Sequence, residues 1–222
     1  METTDRWPLI AGWLGIALII VGGIAVEIEG YPGAGASLSE YASTSADDTY
    51  KAVNALNWLL TTLGGILILA LITSVHARLR ARGVSASGVT LHFVFGLFFV
   101  LLLLAHAAVD EGYTGSSYFD AFKFNEQTAP IGIALNEVRF ALEVQSVLVG
   151  AAMIFVGSWL LARLGNVPTW LSRGGYPLGV ILLVIAVPFE TLGLLFVLLW
   201  LAVAGAVVLS ADSASAPGAL QT

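Results

Sequence analysis

Few residues in this chain carry side chains suited to chemistry, so their spacing can be read one by one. Asn136, Arg139 and Glu143 lie three and four positions apart. On a helix that spacing puts all three on one stripe. Ser146, Gly150 and Gly157 continue roughly along it, giving a face that is polar at one end and small further on. Charged groups at membrane depth are costly and face the bundle interior or a water-filled cavity. The stripe therefore reads either as the wall of an outward-open polar cavity or as an ion pair that orients its helix. Arg139 and Glu143 can pair at i, i+4, although Arg before Glu is the weaker order. Glu137 and Gln145 point elsewhere and read as interfacial.

His92 and His106 are fourteen residues apart, about 40° off a common helical face. His106 and Asp110 are i, i+4 neighbours, with Glu111 beside them. If the segments bearing His106 and Glu143 pack together, His106, Asp110 and Glu143 meet at one depth and could bind a metal or relay protons. One histidine and two carboxylates without a recognised spacing motif is a faint metal signature, and a hydrogen-bonded structural histidine is the plainer reading. The candidate binding residues are thus Asn136, Arg139, Glu143, His106 and Asp110. No catalytic residue, metal or cofactor is assigned. His76, beside Arg78 and Arg80, reads as an ordinary loop residue.

The elements that must position these groups follow from composition. Of 222 residues, 58% are hydrophobic and 11% charged, where an ordinary soluble domain has about 25% charged. So many apolar side chains cannot hide in one soluble core of this size, and a lipid bilayer is their expected surroundings. The net charge is −6 and only Lys51 and Lys123 are lysines, which argues against a nucleic-acid partner. The absence of cysteine excludes disulfides, thiolate metal sites and Cys nucleophiles. There is no Walker P-loop, zincin pair or Gly-x-Ser-x-Gly elbow. No span carries the charges of a voltage sensor, and no repeat relates the two halves as in inverted-repeat transporters.

An all-α polytopic bundle of about six transmembrane helices is expected, with spans near 8–26, 54–75, 89–109, 134–163, 170–187 and 190–209 in a single domain of residues 1–209. The first run is longer than the apolar core of a signal peptide and reads as a retained span. Tyr31-Pro32-Gly33 and Gly35 break the polar stretch that follows it. Ser45 with Asp48 resembles a capping box and starts the second helix near Asp47. Gly83 reads as that helix's stop, and Asp110-Glu111-Gly112 as the end of the third. Pro188 disfavours helix at Val187, so a hairpin there is preferred to one kinked helix. The tail after Ser210 is small and polar and is expected to be disordered.

Arg6, Arg78, Arg80, Arg82, Arg163 and Arg173 fall on one side of this topology. The other side holds most of the carboxylates. The positive-inside rule makes the N-terminus, the Arg loops and the C-terminus cytoplasmic, in a plasma membrane. The arginines after the second helix would meet anionic headgroups. The outer-loop aromatics Tyr113, Tyr118, Phe119, Phe122 and Phe124, interleaved with Asp120, Lys123 and Glu126, suit a segment lying in the headgroups or a lid over a cavity. Gly22-Gly23, Gly64-Gly65, Gly175-x-x-x-Gly179 and Ala202-x-x-x-Ala206 permit close helix contact, within one bundle or in a homo-oligomer.

At Gly157-Ser-Trp159-Leu-Leu-Ala-Arg163-Leu-Gly165-Asn-Val-Pro168-Thr-Trp170-Leu171, a helix ends in a basic residue. A Pro-x-Trp-Leu turn and a Gly-rich apolar helix follow. With Trp200-Leu201 in the last helix, this resembles a broad prokaryotic family of small polytopic membrane proteins known as a domain of unknown function. The resemblance covers mostly the last third of the chain. It implies the architecture and no activity. The residues themselves favour a non-catalytic binding, sensory or accessory bundle. The stripe leaves open a small-solute or proton-coupled carrier, and the His106, Asp110 and Glu143 set a membrane enzyme on lipid-like substrates.

Overall fold

The computed structural model describes residues 6–30, 37–114, 125–164 and 167–210, without the side chains of Asp110, Glu111, Tyr113 and Thr114. The described residues form α1 (Trp7–Glu29), α2 (Leu38–Ala46), α3 (Asp48–Ala81), α4 (Ala86–Thr114), α5 (Ala129–Ala162), α6 (Thr169–Ile185) and α7 (Glu190–Ser210). Five of them, α1, α3, α4, α5 and α7, are long and apolar enough to cross a membrane. α6 is apolar but has 17 residues, about 25 Å of helix, at the short end of what a bilayer core requires. The chain is an all-helical polytopic bundle. The outer-loop residues Tyr118, Phe119, Asp120, Phe122, Lys123 and Phe124, the segment Tyr31–Gly35 and the tail beyond Ser210 lie outside the described residues.

Local chemistry sets the helix ends. Pro8 sits in the first turn of α1, where a missing N–H costs no hydrogen bond. The cap of α3 corrects the sequence reading. Asp47, not Ser45, accepts the N–H groups of Thr49 and Tyr50, at 2.8 and 3.0 Å. Ser45 is occupied by α2, a short helix the sequence reading did not anticipate, and is buried. The working Ser/Glu spacing is one helix earlier, where the Ser37 hydroxyl accepts the Glu40 N–H at 3.2 Å. α2 holds its place by burying Tyr41 and Ala42 against Ala129 of α5. At the far end of α3, Gly83 takes φ +66°, a left-handed stop that suits glycine. α4 continues through Asp110-Glu111-Gly112 to Thr114. Nothing in that triplet forbids helical φ, and glycine merely lowers the propensity.

Antiparallel neighbours build the bundle in chain order. α1 lies on α3, α3 on α4, α4 on α5 and α5 on α6. Glycines set the closest approaches. A Cβ on Gly15 would stand 2.6 Å from the carbonyl oxygen of Gly64, and one on Gly64 the same distance from that of Gly15. Gly179 meets Phe155, and Gly65 meets Leu104. These small residues pack within one chain. The turn at 186–189 is a hairpin. Gly175 of α6 lies against the Trp200 indole of α7, with a built Cβ 3.2 Å from its Nε1. Residues 25 positions apart along one continuous helix would be about 37 Å apart. α7 then runs parallel to α5, with Gly193 on Val147 and Gly150 on Val197.

The core runs through the inner half of the bundle and holds Ile68, Leu71, Phe99, Ile154 and Leu201, all buried. The outward surface is apolar too, with Ile10, Ile66, Phe98, Val180 and Val184 more than half exposed. Water would not tolerate such a surface, whereas lipid does. Trp7 and Trp170 are also exposed, both at the end of the bundle that carries the arginine turns, as an interfacial aromatic belt requires.

Candidate functional site

α4 and α5 are neighbours, and they bring most of the sequence-selected residues together. Arg139 Nε donates to Asn136 Oδ1 at 3.0 Å. Its Nη1 lies 3.8 Å from Glu143 Oε2. From α4, His106 Nδ1 lies 3.3 Å from the Arg139 carbonyl oxygen and 3.9 Å from Glu143 Oε2. The Arg139 carbonyl can only accept, so the tautomer with its hydrogen on Nδ1 is the one that bonds it. Glu143 is only 6% exposed. A buried carboxylate must find partners, and it has them on three helices. The third is α7, whose Thr191 hydroxyl donates to Glu143 Oε1 at 3.4 Å. Further down the same stripe, Ser146 Oγ donates to the Glu143 carbonyl at 2.7 Å.

The stripe therefore faces the bundle interior along its length, because Gly150 and Gly157 sit against Val197 and Trp200. The side chain of Asp110, the remaining candidate, is not among those described. Among the described residues no group of three or more His, Asp or Glu is placed to hold a metal ion.

Arg139, Glu143, His106 and Thr191 border a cavity of about 550 Å³ in the half of the bundle away from the arginine turns. α1 and α7 touch at their inner halves, where Trp13 Nε1 donates to the Ala202 carbonyl at 3.3 Å. Toward the other end, Ile20 and Ile24 of α1 and Leu192 and Leu195 of α7 line one side of the cavity. Glu27 and Glu190 line it at the outer ends of those two helices, and Arg139, His106 and Glu143 line its back. Its floor is Leu103 and Leu198, both 1% exposed. Below them the interior is packed. Gly23 also lines the cavity, and a Cβ added there would meet no atom within 4 Å.

Several lining residues escaped the sequence reading. Asn57 and Thr61 are buried on α3, with the Thr61 hydroxyl donating to Asn57 Oδ1 at 3.3 Å. Their signal was present, since two polar residues at i, i+4 interrupt an apolar span. Thr191, Glu190 and Glu27 had no such signal, because each belongs to a helix end and only packing brings it to Glu143. His76 corrects a further expectation. It lies inside α3, its Nδ1 3.3 Å from the Val89 carbonyl and its ring tilted against Phe93 with the centroids 4.7 Å apart. A second polar node lies in the inner half, where Nδ1 of His92, Oγ of Ser158 and Nε1 of Trp200 are buried without a hydrogen-bond partner.

Comparison of the chain with protein-family models, with curated proteins and with solved structures finds no match.

Proposed function

We propose that this protein is a plasma-membrane receptor or accessory subunit that binds a small ligand in the outer cavity and does no chemistry on it. One observation carries the reading. His106, Arg139, Glu143, Asn57 and Thr61 line one cavity, and that cavity ends on the buried apolar side chains of Leu103 and Leu198. Its size is within the range of ordinary small-molecule sites. Arg139, Glu143, His106 and Asn136 are held by one another and by Thr191, so their geometry is set before a ligand arrives, which lowers the cost of binding. The floor of Leu103 and Leu198 favours holding a ligand over passing it across. The Pro-x-Trp-Leu turn and the arginine-rich ends favour membership of a prokaryotic polytopic family and cytoplasmic termini.

The lack of native cysteine makes the test clean. Gly23→Cys places a thiol on the cavity wall, and Ala151→Cys places one in the packed interior. The expected result is that a membrane-impermeant maleimide applied from outside modifies the first in intact cells and leaves the second unmodified. A ligand that occupies the site protects Gly23→Cys. Equal labelling of both, or none at Gly23→Cys, would count against an outward cavity. Flux of a small solute in proteoliposomes holding only this protein would replace the binding reading with a carrier.

A further inference from the structure

We infer that the ligand is a membrane amphiphile with a cationic amine head and an apolar tail, entering sideways from the outer leaflet between α1 and α7. The inference rests on the cavity being a binding site, as proposed above. Two independent features of the cavity lead to it.

The first is charge. Three carboxylates line the cavity, Glu27, Glu143 and Glu190, against one guanidinium, Arg139. With His106 counted neutral, the lining has an excess of two acidic groups. Glu27 and Glu190 stand at the outer ends of α1 and α7, and Glu143, on α5, meets Thr191 beside Glu190. An ammonium in the cavity therefore meets two carboxylates beyond the one that faces Arg139, whereas an anion finds a single guanidinium already beside Glu143. In a low-dielectric wall such a bias decides which sign of head is admitted.

The second is the shape of the opening. α1 and α7 are joined by the Trp13 bond to Ala202 at their inner halves, and toward their other ends both line the cavity. The edges of the slit, Ile24 and Leu192, are 54% and 45% exposed. In a bilayer these edges face lipid tails, not water. A ligand reaching Glu143 along this slit keeps its tail against Ile20, Leu194 and Leu195, and only its head needs polar partners. A purely water-soluble amine would gain nothing from those walls.

The test uses the full-length protein in phosphatidylcholine nanodiscs, with empty discs subtracted. Radiolabelled dodecylamine is the probe, compared with dodecanoate, dodecanol and the tail-less butylamine. Dodecylamine is expected to bind saturably, with dodecanoate and butylamine weaker by about tenfold or more, the effect of one charge-assisted bond or a few buried methylenes. Glu143→Gln and Gly23→Leu are each expected to weaken it by about tenfold. Size exclusion and helical circular dichroism confirm that each variant folds. Glu190→Gln, at the rim, carries the charge test if Glu143→Gln does not fold. Absence of saturable dodecylamine binding overturns the inference. Dodecanoate or dodecanol binding as tightly, and still lost in Gly23→Leu, overturns the cationic head and leaves the cavity reading intact. Butylamine binding as tightly as dodecylamine overturns entry from the membrane. Undiminished dodecylamine binding in Gly23→Leu places the amine elsewhere, and the cavity reading falls with it.

Discussion

At the scale of single residues, Glu143 shows how one buried carboxylate can organise three helices. Its oxygens face Arg139 on its own helix, His106 on α4 and Thr191 on α7. Removing one partner of a buried charged group leaves the other uncompensated, which is why such clusters resist piecemeal change. Glycines give a second residue-scale lesson, because identical residues have opposite tolerances. Gly15 and Gly64 each present backbone oxygen to the other, so a side chain at either has nowhere to go. Gly15→Val is expected to destabilise the bundle by about 1–3 kcal/mol through overpacking. Gly23→Val, facing open space, should change stability far less. Thermal unfolding of the two variants in the same lipid discs checks this, and equal losses would contradict the close contact of α1 with α3.

At the scale of elements, the start of α3 depends on one carboxylate. The N–H groups of Tyr50 and Thr49 donate to Asp47 and hold its carboxyl below its ordinary value of 3.8. Because the folded value is the lower one, the cap contributes its full stabilisation above about pH 4 and loses it as pH falls through the folded value. The protection of the Thr49 and Tyr50 amides, taken relative to their intrinsic exchange at each pH, should therefore fall on acidification below that range. Asp47→Asn should keep the amides protected but remove their pH dependence, because asparagine caps as well as aspartate without titrating there. Asp47→Ala should expose them at every pH. The same element explains why α3 outruns any bilayer. Its 34 residues span about 51 Å, and α2 packs beside the helix.

At the scale of the whole molecule, the hairpin at 186–189 decides on which side Ser210 lies. With α6 and α7 antiparallel, the turn at 82–85, the end of α5 and the start of α6 share a side with Ser210, and α2 shares the opposite side with the 186–189 turn. Single cysteines report this directly. Ser39→Cys and Val187→Cys should label in intact cells with an impermeant reagent, and Ser87→Cys and Thr169→Cys only after permeabilisation. Labelling of Val187→Cys on the side of Ser87→Cys would mean that α6 does not cross.

The membrane character, the six apolar helices and the stripe of Asn136, Arg139 and Glu143 were legible in the chain itself, whereas the short helix α2 was not. Each follows from local regularities, namely runs of apolar residues as long as a bilayer is thick and a helical repeat that puts every third or fourth residue on one face. Even the meeting of His106 with Glu143 could be posed as a condition on two neighbouring helices. What only the tertiary structure decided was the outcome of packing between distant segments. Neighbouring of α4 and α5 satisfied that condition. The meeting of α1 with α7 placed residues of both along the cavity, and folding back at Pro188 delivered Thr191 and Glu190 to a residue some 50 positions earlier. Sequence periodicity gives the face a helix will bury. Which partner covers it, and where the cover fails to close, depends on side-chain volumes meeting across helices, such as a tryptophan at 13 against a small residue at 202. No regularity along one strand of residues encodes that meeting.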